Sequence, residues 1–265
     1  MNNNIKLHHI DFLENTGLVK AIYTERDFCE WPSRIAGSNE KINIDGYNKL
    51  SEFMNIPTQN MLRIPQTHTK EVRIIDASNG GEGILSPAET GYDGMITNQS
   101  GILLCTVEAD CVPVYILDPV NKVIGMVHSG WRGTAGNIAV NAIKLMNEQY
   151  GSDMKNILVA LGPCICEKCY EVTGELIDEF RINYSATEIS QIFVPECDEK
   201  KQIIENKYLL NLSKAIEISL IKAGIRSENF LTSPYCTKET KWLCSYRREH
   251  DSSARMLTGI ILQDA

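Results

Sequence analysis

The chain has 265 residues and a formal net charge of -8, with 34 acidic residues against 26 Lys and Arg, which argues against nucleic acid or an anionic membrane as its main partner. No apolar run is long enough to span a bilayer, and the opening Met1-Asn2-Asn3-Asn4 lacks a secretory pattern, so the expected location is cytoplasmic. Nine cysteines in a reducing compartment are expected as free, buried or metal-binding thiols, and their odd number leaves at least one unpaired.

The elements follow from hydrophobic periodicity. Residues 17–24 form a strand, and Arg26 to Asn43 form a polar loop around Trp31 and Pro32. Tyr47 to Ile56 is a short helix with Leu50, Phe53 and Met54 on one face. Val72 to Asp76 is a strand, and the glycine-rich stretch Asn79 to Thr90 is a loop. Gly94–Thr97, Ile102–Val107, Pro113–Leu117, Val123–Val127 and Ile157–Leu161 are strands with few helices between them, which points to an α+β chain with mixed sheets and not to a doubly wound fold. Helices are expected over Gly174 to Asn183 and over Tyr208 to Ala223, the second stopped by Gly224. Strands over Leu243–Arg247 and Met256–Leu262 close the chain. No linker or internal repeat is present, so residues 1–265 read as a single domain.

One stretch organises the rest. Gly125-Met126-Val127-His128-Ser129-Gly130-Trp131-Arg132-Gly133 is an apolar strand ending in an imidazole, followed by a turn and a helix starting near Thr134. Glycines let a bound group approach the backbone, and a helix start favours an anion. Arg132 adds a forked donor for an anion there, while Arg247 or Arg248 offers a second, with a surface salt bridge as the plain alternative.

His68 and His128 each adjoin a strand, and Cys111 starts one. Two imidazoles and one thiolate make a three-ligand zinc set with an open position, although each residue taken singly is more often a core or surface residue. A metal so held lowers the pKa of bound water. Asp110, beside Cys111, is placed as a carboxylate orienting a ligating imidazole, or else as a structural residue on the opposite face. Cys166-Glu167-Lys168-Cys169 has C-x-x-C spacing, and Cys164, Cys236 and Cys244 lie further off. No second matching pair exists, so small buried thiols are expected there in preference to a structural zinc.

Gln66-Thr67-His68, Ala109-Asp110-Cys111-Val112-Pro113, His128-Ser129-Gly130-Trp131-Arg132-Gly133, Gly162-Pro163-Cys164-Ile165, Cys169-Tyr170-Glu171-Val172 and Ser245-Tyr246-Arg247-Arg248 occur in that order. The series resembles the bacterial polyphenol oxidase (laccase-domain) family, described as purine nucleoside phosphorylases and adenosine deaminases. The resemblance covers nearly the whole chain. It implies zinc on His68, Cys111 and His128. It also implies phosphorolysis of adenosine, inosine and methylthioadenosine, deamination of adenosine, and a layered αββα arrangement with mixed sheets. Thr24-Glu25-Arg26-Asp27-Phe28-Cys29 lacks the two glycines usual in that family's first loop, and Ser253-Ala254-Arg255 replaces its usual Thr-Gly-Arg.

The leading expectation is therefore a zinc enzyme using Cys111, His128, Asp110 and Arg132 on purine nucleosides and phosphate, with a monomer favoured. A second reading is a cysteine amidohydrolase of peptidoglycan-precursor type, with Cys111 as nucleophile and His128 as base. A copper-dependent polyphenol oxidase is a third, opposed by the presence of only five histidines and the absence of paired H-x-H motifs. A non-catalytic zinc protein is the fourth.

Overall fold

Apolar runs without alternation dominate the middle of the chain, and such runs suit strands covered on both faces. The computed structural model describes residues 7–28, 31, 44–250 and 255–263. The expected loop from Arg26 to Asn43 lies largely outside them.

The first part of the chain supplies β1 (Leu7–His9), α1 (Asp11–Glu14), β2 (Val19–Thr24), α2 (Ile44–Met54), β3 (Met61–Arg63) and β4 (Val72–Ile74). The middle supplies β5 (Gly94–Thr97), β6 (Leu103–Glu108), β7 (Val112–Asp118), β8 (Val123–Ser129), α3 (Trp131–Ala135), α4 (Ile138–Tyr150) and β9 (Leu158–Leu161). The next stretch supplies β10 (Glu171–Thr173), α5 (Glu175–Arg181), α6 (Ala186–Ile192), β11 (Phe193–Cys197), β12 (Ile203–Leu210) and α7 (Leu212–Ala223). The chain finishes with β13 (Phe230–Thr232), α8 (Tyr246–Glu249) and β14 (Met256–Leu262).

These strands build a five-stranded sheet, β1-β2-β14-β6-β3, and a six-stranded sheet, β13-β9-β7-β8-β5-β4. Both mix parallel and antiparallel pairs. The two sheets share an inner core of residues such as Leu62, Leu104, Tyr115, Ile124, Met126 and Ile260. The opposite face of the six-stranded sheet, with Val114, Ile116 and Val127, packs on Ile138, Ile143, Ile216 and Leu220 of α4 and α7. The opposite face of the five-stranded sheet, with Ile22, Leu103 and Leu257, packs on Trp31 and on Tyr47 and Leu50 of α2. The result is the layered αββα arrangement implied by the resemblance. Tyr115 crosses between the sheets: its hydroxyl donates to the Ile22 carbonyl at 2.8 Å, which satisfies a buried polar group that would otherwise be costly.

Three expectations need correction. Residues 208–210 belong to β12, which pairs with β10 and β11, so the helix begins only at Leu212. Asn211 caps it, its side chain accepting from the Lys214 N–H, while Gly224 at φ 107° ends it as expected. Leu243–Arg247 is no strand: Ser245 caps the short helix α8, and the Arg248 guanidinium gathers the carbonyls of Thr237, Lys238, Thr240 and Leu243. Finally, the helix after His128 begins at Trp131 and is interrupted at Asn137, whose φ of 57° separates α3 from α4. Tyr184 holds that break, with its hydroxyl 3.1 Å from Asn137 Oδ1. Among the described residues no helix is long and apolar enough to cross a membrane.

Candidate metal centre and pocket

The site lies where the chain passes from one sheet to the other. β6 of the five-stranded sheet ends at Glu108, and β7 of the six-stranded sheet starts at Val112. The crossing is Ala109-Asp110-Cys111, with Asp110 at φ 87°, a region that non-glycine residues seldom occupy. His128 is delivered by register, because β8 runs antiparallel to β7 and pairs His128 with Pro113. His68 follows β3, which is parallel to β6, so both strands direct their following residues to the same end. Gln66 fixes that approach by bonding both ways to Val107: its Nε2 donates to the carbonyl at 2.7 Å, and its Oε1 accepts from the N–H at 2.9 Å.

The ligand-capable atoms of His68, Cys111 and His128 lie within 4.8 Å of one another. Zinc bonds imidazole nitrogen at about 2.0–2.1 Å and thiolate sulfur at about 2.3 Å, so three donors this close suit one ion. The backbone is cut to fit: a Cβ on Gly130 would stand 3.0 Å from both Cys111 Sγ and His68 Cδ2.

The carboxylate that orients the site is Asp93, which sequence reasoning missed. Its Oδ1 lies 2.7 Å from His128 Nδ1, leaving Nε2 toward the site. The same carboxylate accepts backbone N–H bonds from Thr67, His68 and Thr69, at 3.1, 3.0 and 2.7 Å. Those bonds hold His68 at φ 62°. Burial alone would raise the Asp93 pKa, but the contacts to His128 and Thr69 outweigh it and keep the carboxyl below its ordinary value. The only sequence signal was an acid immediately before a glycine-led strand.

Asp110 is occupied elsewhere. Its Oδ1 accepts from the Thr237 hydroxyl at 2.6 Å and its Oδ2 from the Arg247 N–H at 2.6 Å. It therefore ties the crossing to α8 and to the loop before it, and the expected contact to an imidazole is made by Asp93 instead. This is the alternation of side-chain faces that adjacent residues impose.

Glu108 was also missed. It is fully buried, and its Oε2 is 3.7 Å from His128 Nε2. Burial pushes its carboxyl up to about 7. His128 shows the opposing balance: burial lowers its pKa, but Glu108 and Cys111 together with Asp93 raise it well above the usual imidazole value. His68 is lowered by burial and by the neighbouring His128.

Around these groups opens a cavity of about 800 Å³, within the usual range for small-molecule sites. Trp131, Tyr170 and Tyr246 supply aromatic walls, and Arg132, Arg247 and Arg255 supply positive charge. The Arg132 guanidinium lies 4.2 Å over the Trp131 ring and forms no ion pair among the described residues. Neither Glu171 nor Asp110 braces it: Glu171 pairs with Lys207 at 3.0 Å, and Asp110 is bonded as above. Arg247 lies over Tyr170 and donates to the Glu171 carbonyl, whereas Arg248 faces away and staples its own loop.

The fold and site together define an α+β protein of two stacked mixed sheets, with a His-Cys-His cluster at the sheet-to-sheet crossing. A sequence profile for the multi-copper polyphenol oxidoreductase laccase family matches residues 37–263, and the chain belongs to that family. Purine nucleoside phosphorylase YlmD of Geobacillus stearothermophilus is 30% identical over 221 residues, covering 82% of this chain and 77% of that protein. Adenosine deaminase RL5, from an unknown prokaryotic organism, is 28% identical over 267 residues, covering 97% and 98%. The crystal structure of Bacillus licheniformis hypothetical protein YfiH superposes with a TM-score of 0.85 at 25% identity, covering 99% of this chain and 98% of that one. YlmD from Geobacillus stearothermophilus superposes with a TM-score of 0.81 at 26% identity, covering 93% and 92%.

Proposed function

We propose that this protein is a zinc enzyme of purine nucleosides that cleaves adenosine, inosine and methylthioadenosine with phosphate and also deaminates adenosine. The reading is carried by one observation: the His68–Cys111–His128 cluster opens into a cavity that pairs aromatic walls with three arginines. Relatives named for phosphorylase and deaminase activities support the same substrate class. The mixed thiolate and imidazole donors suit zinc, which when bound activates water and polarises substrate oxygen or nitrogen. The chain's own groups do the rest. Trp131, Tyr170 and Tyr246 offer faces for a purine. Arg132, Arg247 and Arg255 offer donors and charge for phosphate near the ribose. Glu108, buried beside His128 with a pKa near neutrality, is suited to holding or giving up a proton. Copper oxidase chemistry is disfavoured because only two of the five histidines, His68 and His128, line the cavity.

A second reading has a specific observation in its favour. Cys111, His128 and Asp93 follow one another as thiol, imidazole and orienting carboxylate, the order a cysteine hydrolase uses. Metal content separates the two, since a zinc-bound Cys111 is not free to attack.

The test is to incubate metal-quantified protein with adenosine, with and without phosphate, and to resolve the products. Adenine and ribose 1-phosphate should form only with phosphate, and inosine should form without it. Zinc-loaded protein that yields none of these overturns the proposal.

A further inference from the structure

A second cluster lies in two loops that the first site does not use. β9 and β13 are parallel neighbours, so the loops after Leu161 and Thr232 leave the sheet side by side. They remain paired by an isolated bridge between Cys164 and Cys236, and by the Thr237 N–H donating to the Cys164 carbonyl at 2.9 Å. This brings Cys166 and Cys169, whose C-x-x-C spacing had no visible mate in sequence, against Cys236 and Glu239. Their four ligand-capable atoms lie within 4.8 Å of one another.

Cys105, Cys164 and Cys244 are buried, and burial pushes each up to about 12, the condition of inert core thiols. Cys236 differs in its surroundings. The backbone N–H of Cys166 points at its Sγ at 3.4 Å. Backbone N–H groups turned on sulfur stabilise a thiolate, the form that ligates metal. The Glu167–Cys169 3₁₀ turn presents Cys166 and Cys169 from one side, with the Cys169 N–H donating to the Cys166 carbonyl at 3.1 Å.

We propose that Cys166, Cys169, Cys236 and Glu239 form a structural zinc site, separate from the His68–Cys111–His128 centre. Three thiolates and a carboxylate fill a tetrahedral zinc and leave no position for substrate, so this ion staples and does not catalyse. What it staples is the wall of the cavity. One loop carries Ile165 and Tyr170 into that wall, and the other leads to Tyr246 and Arg247. Thr237, next to Cys236, bonds Asp110, which adjoins Cys111.

The test is elemental analysis of protein purified under reducing conditions with zinc supplied, paired with cobalt substitution. Wild-type protein should hold two zinc ions per chain. Cys236→Ala and Cys169→Ser should each hold one, and Cys111→Ala should also hold one. Cobalt in Cys111→Ala should give a thiolate-to-metal absorption several times stronger than cobalt in Cys236→Ala, because three sulfurs remain against one. The wild-type stoichiometry stands even if a variant fails to fold. Wild-type protein with a single zinc that disappears in Cys111→Ala overturns the proposal, as does a disulfide joining any two of Cys166, Cys169 and Cys236 in freshly reduced, zinc-loaded protein. Because the two sites empty in different variants, loss of this proposal leaves the nucleoside reading intact.

Discussion

Asp93 reaches His128 and His68 with one carboxylate: its Oδ1 lies 2.7 Å from His128 Nδ1 and also accepts the His68 backbone N–H at 3.0 Å. One side chain thus orients the ring of one candidate ligand and the backbone of another. Asp93→Asn should weaken zinc binding at the His-Cys-His centre by about ten- to a hundredfold. Chelator competition measures this, and wild-type affinity would show that the imidazole is held by something else.

Asp110→Asn should behave differently. It loses charge-assisted bonds to Thr237 and Arg247, not to an imidazole. Stability should fall by roughly 1–3 kcal/mol while zinc affinity changes little. Denaturant titration and chelator competition on the same protein decide between this and the role expected from sequence; a hundredfold loss of affinity at unchanged stability would restore the latter.

Arg132→Met tests the phosphate assignment. Its guanidinium rests on Trp131 without an ion pair among the described residues, so removing it should not unfold the turn. The phosphate concentration needed for half-maximal phosphorolysis should rise roughly tenfold or more, and deamination should change far less. Equal losses in both activities, or an unaltered phosphate requirement, would remove Arg132 from anion binding.

Glu108 predicts a pH effect in the chelator-stripped protein. Its carboxyl rises from 4.5 to about 7 on folding, chiefly through burial. Between those values the folded form keeps a proton that the unfolded form releases, so this group makes stability fall as pH rises through that window. Glu108→Gln should flatten the decline. Denaturation midpoints measured near pH 5 and near pH 7 give the slopes, and parallel slopes for both proteins would place the titration elsewhere.

The parts of the fold legible in sequence were those where burial dictates residue type. β14 coincides with the expected Met256–Leu262 because every residue in it is buried. The strand ending at His128 was readable for the same reason. Sequence reasoning failed where tertiary pairing overrode a local pattern. Leu209, Leu212, Ile216 and Leu220 fit one helical face, yet residue 209 pairs across to Glu171 and Val194. His68 and His128 could be picked out because imidazoles are scarce, and Cys111 because it starts a strand directly after Ala109-Asp110. Asp93 and Glu108 could not, since a lone acid at a strand end looks like any solvated residue until its burial is known. The C-x-x-C pair was visible, but its mate lay on a loop that only the parallel pairing of β9 and β13 brings alongside.

The three-residue crossing at Ala109-Asp110-Cys111 has a consequence for how the protein matures. His68 follows a strand of one sheet, while Cys111 and His128 sit at the ends of strands of the other. Neither sheet alone holds a complete ligand set. An ion held by these three residues would therefore be captured tightly only after the two sheets had docked in their final register, and its capture would report that docking. A core change that lets the layers slip, such as loss of the Tyr115 hydroxyl bond across them, would show itself first as a loosened metal, before any strand has come apart.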